Sequence, residues 1–181
     1  MTTKDEIKNI MEDHGVILSK STLKDYFRTI MDIINVAIDK DVYVFYVSIT
    51  IPSSIIKNVL DSYGMSLDKV YFVDSTAYSF GSQTDKKTLV VESPTMLETL
   101  IIKIQYLQKI TGNASSIIIL DSANSLAIHN DLTILSEFFH VLITMLRPSE
   151  ARLFIISVAE QLTPELSNVL ELISDVTLEG S

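Results

Sequence analysis

The sequence predicts an α/β domain built on a mainly parallel sheet, and three observations carry that expectation. Short runs rich in Val, Ile, Tyr and Phe recur along the chain, and they are continuous rather than alternating, as in strands covered on both faces. Longer stretches of helical period separate them. Strand and helix alternate from one end to the other, the order that gives right-handed crossovers between parallel strands. The 181 residues suit one domain over residues 1–181.

Residues 1–14 read as a helical N-terminal extension. The first strand is Val16–Ser19, followed by a helix over Leu23–Asp39 with its stripe at Phe27, Ile30, Met31, Ile34 and Ile38. Val42–Ile49 is the second strand. Pro52 then opens a helix in its first turn, with Ile55, Ile56, Val59 and Leu60 behind it, and Gly64 supplies a left-handed cap at its end. Val70–Asp74 follows, and Tyr78–Lys87, "YSFGSQTDKK", reads as one long solvated loop before a short strand at Thr88–Val91. Ser93 as N-cap and Pro94 at the first helical position start a helix carrying Leu97, Leu100, Ile101 and Ile104. Beyond the strand Ser116–Leu120, Asn130-Asp131 opens a helix that runs to about Leu146 and is stopped by Pro148. The strand Arg152–Ser157, a helix starting at Thr163-Pro164-Glu165, and a last strand Val176–Leu178 complete the order.

Composition excludes several functions. The net charge is -9 and no segment concentrates Lys or Arg, which argues against nucleic acid, whose binding depends on neutralised phosphates. There is no cysteine, hence no disulfide, thiol chemistry or Cys-based zinc site. The opening "MTTKDEIKNIMEDHG" lacks an apolar export signal, and the longest apolar stretches, such as Leu153–Ala159, fall far below the roughly 20 residues of a membrane helix. The expectation is a soluble cytoplasmic protein with no membrane contact.

Polar residues at strand ends are where chemistry would sit, because ligands of wound α/β sheets bind beyond the carboxyl ends of the strands. Ser19, Asp74 and Asp121 occupy such positions. Asp74 lacks the companions of a phospho-acceptor aspartate, an acidic pair after the first strand and a lysine after the fifth, since those strands end "ILSKS" and "IISVAE". His14, His129 and His140 form no metal pair on a helix face, and no GxSxG elbow exists for a serine hydrolase. Tyr43, Tyr46, Phe138 and Phe139 read as core. For Asp121, in "SSIIILDS", the plain reading is a side chain capping the turn or helix that follows.

The order of these features resembles KaiC-like proteins of the RecA ATPase superfamily. "VYVFYVSITIPSSIIKNVLDSYGMSLDKVYFVDS" is similar to their second strand, helix, turn and third strand, "SSIIILDSANSL" to their Walker B strand, and "ARLFIISVAE" and "SNVLELISDVTLEG" to later strands. The resemblance implies a three-layer RecA-like domain of the P-loop NTPase type. It further implies that Asp121 stands at the Walker B aspartate. The Walker A loop, GxxxxGK[ST], should follow the first strand, but "GVILSKSTLKDYF" stands there. Lys20-Ser21 and Ser21-Thr22 echo its ending with no glycine to form the phosphate nest. The glutamate pair that ends the second strand in such ATPases falls at Ile49 and Thr50, neither of which can accept a proton.

The expectation that follows is a RecA-like domain without ATPase activity and without a cofactor or metal. It would act as a regulatory or interaction module with a protein partner or as a homo-oligomer. The alternative is a weak nucleotide- or anion-binding signalling domain using Lys20, Ser21 and Asp121. Ser19–Leu23 is expected to pass almost directly from strand to helix. That helix should begin near Ser21 or Thr22, with one of those hydroxyls capping it and Asp25 in its first turn.

Overall fold

Seven parallel strands form one sheet in the computed structural model, which describes residues 4–81 and 85–180. The strands are β1 (Val16–Ser21), β2 (Tyr43–Ser48), β3 (Val70–Asp74), β4 (Thr88–Val90), β5 (Ser116–Asp121), β6 (Ala151–Val158) and β7 (Val176–Glu179). The helices are α1 (Lys4–Asp13), α2 (Tyr26–Asp39), α3 (Ser53–Ser62), α4 (Ala77–Phe80), α5 (Leu97–Ile110), α6 (Ala123–His129), α7 (Leu132–Leu146) and α8 (Pro164–Ile173). Strand order across the sheet is β4-β3-β2-β5-β6-β1-β7, so β6 alone separates β1 from β5.

Side-chain alternation along each strand sends apolar residues to both faces, which is why the strands read as unbroken apolar runs. Ile17, Val44, Tyr46, Phe72, Ile117, Ile119, Phe154 and Ile156 point to one face and pack under α1, α2 and α3. Leu18, Phe45, Val47, Ile118, Leu120, Leu153 and Ile155 point to the other and pack under α5, α6, α7 and α8. The result is three layers, helices on either side of a parallel sheet. Among the described residues no helix is long and apolar enough to cross a membrane.

Several element boundaries differ from expectation. Ser93 and Pro94 do not start a helix. Met96 donates its amide to the Ser93 carbonyl at 3.0 Å, closing a turn, and α5 begins at Leu97. The Ser93 hydroxyl accepts from Thr95 N within that turn, so its capping capacity is used locally. The stretch Tyr78–Lys87 is not one loop. Its first residues belong to α4, which ends at Gly81 with φ +60, and Asp85–Lys87 form a turn into β4, while residues 82–84 lie outside the described residues. By contrast, α7 and α8 start where Asp131 and Thr163 predict, and the Thr163 hydroxyl accepts from Leu166 N at 3.2 Å. Gly64 takes φ +67 just past α3, as its left-handed role requires. The helical reading of the N-terminus matches α1, with residues 1–3 outside the described residues.

Candidate functional site

The carboxyl ends of β1, β2, β3 and β5 lie along one edge of the sheet, the place where a wound α/β fold binds ligands. At β1 the strand does not stop at Ser19. Lys20 pairs with Ser157 of β6 on one side and Glu179 of β7 on the other, and Ser21 still lies opposite Val158. Gly180 then donates its amide to the Lys20 carbonyl at 2.7 Å. A Cβ at Gly180 would sit 3.2 Å from the Ser21 Cα, so the close approach of these backbones favours glycine. The main chain of Lys20 and Ser21 is thus committed to the sheet.

Residues 22–25 join β1 to α2. Asp25 N donates to the Thr22 carbonyl at 3.1 Å and to its hydroxyl at 3.3 Å, and that hydroxyl donates to the Asp25 carboxylate at 3.0 Å. The connection is short, but it is not the direct passage expected of Ser19–Leu23. Nor does the helix start at Ser21 or Thr22, because the β ladder holds Ser21 and a turn takes up the next four residues. Thr22 caps that turn, and α2 begins at Tyr26. The Leu23 amide, exposed ahead of the helix, donates to the Glu160 carboxylate at 3.2 and 3.3 Å.

Alternation along β1 settles where Lys20 points. It projects to the α8 face, where its ammonium is ion-paired and hydrogen-bonded to Glu171 and holds that carboxyl below the usual range. Ser21 projects to the α2 face, and its buried hydroxyl donates to the Ser157 carbonyl at 3.4 Å.

Asp121, at the end of β5, also projects to the α2 face and is fully buried. Its carboxylate accepts two phenol hydroxyls, from Tyr26 at the start of α2 and from Tyr46 in the neighbouring β2. Burial pushes its pKa up to about 6, against the downward pull of the two phenols. Burial and the adjoining carboxylate raise the Tyr46 phenol well above its usual value, so both tyrosines remain donors. Asp121 therefore does not cap the next element as the sequence suggested. Ser122 does, its hydroxyl accepting from Ser125 N at 3.3 Å, because the aspartate side chain is turned into the sheet–helix layer. The Asp121 carbonyl accepts the amides of Ile49 and Thr50 at 2.8 and 3.1 Å, and the Thr50 hydroxyl bonds those of Ser122 and Ser125.

Asp74, at the end of β3, is buried too. It accepts from the amides of Ser53, Thr76 and Ala77 and from the Thr76 hydroxyl at 2.7–2.9 Å, tying the starts of α3 and α4 to the strand. Both its oxygens serve that junction.

Lys20, Ser21 and Asp121 are thus not brought together. Lys20 lies on the opposite face of the sheet from Asp121, and each polar group has an internal partner. Four cavities of 160–630 Å³ lie at the amino ends of the strands or between α2 and α3, and none is lined by these three residues. Among the described residues no cluster of three or more His, Asp or Glu could hold a metal ion. Tyr26, Tyr46 and Glu160, which complete this arrangement, carried no sequence signal. Tyr26 and Tyr46 stand 95 and 75 residues from the aspartate they contact.

No protein-family model matches the chain, and no curated protein matches it in sequence. Solved structures do match in three dimensions. A KaiC-like protein of the hyperthermophilic archaeon Pyrococcus horikoshii superposes with a TM-score of 0.60 at 16% identity, covering 91% of this chain and 71% of that one. The flagellar accessory protein FlaH of Methanocaldococcus jannaschii gives 0.61 at 12% identity, covering 99% and 78%. The fold is RecA-like. An uncharacterised P. horikoshii protein, solved with an unknown peptide, gives 0.74 at 10% identity, covering 96% and 82%. At these identities the likeness to RecA-like proteins establishes architecture and nothing about chemistry.

Proposed function

We propose that this RecA-like domain has given up nucleotide hydrolysis and works as a protein-interaction or regulatory module. The observation that carries the reading is the state of Asp121. A Walker B aspartate works by presenting a carboxylate to the magnesium that rides on the phosphates. Here the carboxylate is fully buried and both its oxygens accept tyrosine phenols. Three further features agree. The Lys20–Ser21 backbone is held in the sheet, where it cannot fold into a loop that wraps a phosphate. Glu160 and Glu171 already occupy the amide of Leu23 and the ammonium of Lys20 as internal anions. Ile49 and Thr50 offer no general base. The neighbour solved with a peptide adds modest support for a role in protein interaction.

Calorimetric titration with ATP and magnesium, together with a phosphate-release assay, tests the proposal. No heat beyond dilution and no turnover above buffer are expected. Tight magnesium-dependent binding would overturn it.

A further inference from the structure

α5 has two apolar faces. Leu100, Ile104 and Leu107 are buried against the sheet. On the opposite side Ile102, Tyr106 and Ile110 recur every four residues and remain 58%, 51% and 50% exposed. A single exposed apolar side chain is ordinary, but three in line along one helix make a patch. Glu98, in the first turn, and Lys109, in the last, flank this stripe on the same side, 11 residues or about three turns apart. Both are exposed, and neither makes an ion pair with a described residue. Each complements the dipole of its own helix. The same polarity makes the face complementary to itself when reversed.

We propose that the outer face of α5 is a two-fold interface at which two copies of this chain pack their α5 helices antiparallel. A two-fold axis on the outer face midway between Ile102 and Tyr106 sets Ile102 of one copy against Tyr106 of the second and Glu98 against Lys109 of the second, each contact occurring twice. A partner of unrelated sequence would have to reproduce both the apolar spacing and the charge polarity; a second copy supplies them by symmetry. Charge also selects this face. Two chains of net charge -9 repel, but α5 contains one acid, Glu98, and two lysines, Lys103 and Lys109, so its own balance is +1. Fourteen residues span about 21 Å, less than a standard interface needs, and the dimer is accordingly weak, in the micromolar range. This inference rests on the reading of the chain as an interaction domain. It is separable from the loss of hydrolysis, since Asp121 lies on the other face of the sheet.

Sedimentation velocity of the full chain over a concentration series tests it. A reversible monomer–dimer equilibrium is expected, with Tyr106→Asp monomeric throughout. Glu98→Lys and Lys109→Glu should each weaken the dimer about tenfold, because symmetry doubles every change. An equimolar mixture of those two variants should regain association, since each then offers the charge the other lacks. All three positions are exposed, and circular dichroism confirms that the variants stay folded. A wild-type chain that is monomeric throughout, a dimer indifferent to Tyr106→Asp, or a mixture no tighter than its components would each overturn the interface. The ATP titration reads the loss of hydrolysis independently.

Discussion

Tyr46 donates its phenol to Asp121 across the β2–β5 ladder, so a fully buried carboxylate is held by a fully buried tyrosine two positions upstream of its register partner, Ser48. Tyr26 reaches the same carboxylate from α2. Replacing one donor leaves a buried acceptor short of a partner, which costs more than the hydrogen bond itself contributes. Tyr46→Phe should lower the free energy of unfolding by about 2 kcal/mol, as should Tyr26→Phe. The double variant should depart from additivity, because both phenols serve one group. Urea denaturation of the four proteins reads this. Additive losses within about 0.3 kcal/mol would argue that the two phenols act independently.

The same carboxyl gives stability a pH dependence of unusual sign. With its pKa raised from 3.8 to about 6, Asp121 binds a proton more tightly in the folded than in the unfolded chain. Its contribution is fully present below about 3.8 and is lost as pH rises through about 6. The total is at most about 3 kcal/mol. Glu171, held low by Lys20, slopes the opposite way, so the wild type alone mixes the two. The stability of the wild type minus that of Asp121→Asn should therefore fall between pH 4 and pH 7. A difference that stayed flat, or rose, would contradict the buried state of this carboxyl.

Grafting a glycine-rich GxxxxGKT segment over residues 20–25, the end of β1 and the turn before α2, should not restore hydrolysis. Ile49 and Thr50 supply no base, and the tyrosines still hold Asp121. The graft should instead destabilise the fold, because it removes the ladder pairs of Lys20 and Ser21 with Ser157, Val158 and Glu179. Turnover assays and thermal unfolding of the graft check both halves, and robust magnesium-dependent ATP turnover by the graft alone would sink the prediction.

The elements were legible where one local pattern decided them. Continuous apolar runs located the central strands, with β3 placed to the residue, since burial on both faces leaves little room for polar positions. Thr163 announced its helix because its cap is local, and Asp131 marked the start of α7 although its side chain makes no capping hydrogen bond. Ser93 failed as a signal, although it too precedes a proline, because its hydroxyl serves a turn at Thr95 first. α6 escaped notice, being only seven residues long and started by Ser122. The site was half legible. The positions of Lys20, Ser21 and Asp121 could be read along the chain. Their division between two faces of the sheet, and the tyrosines that hold Asp121, depend on packing between residues far apart in sequence.

The position of β1 between β6 and β7 also has a consequence for how this chain acquires its structure. Residues 16–21 find their partners only at residues 151–158 and 176–179, so the strand near the amino end must wait for most of the chain. Until then it is an apolar segment with both edges open, the kind of stretch that pairs wrongly when chains are crowded. Folding should therefore be slow for a domain of this size, since distant closure precedes any gain from β1. During synthesis, β2, β3 and β5 can assemble early, whereas β1, although made first, must wait for β6.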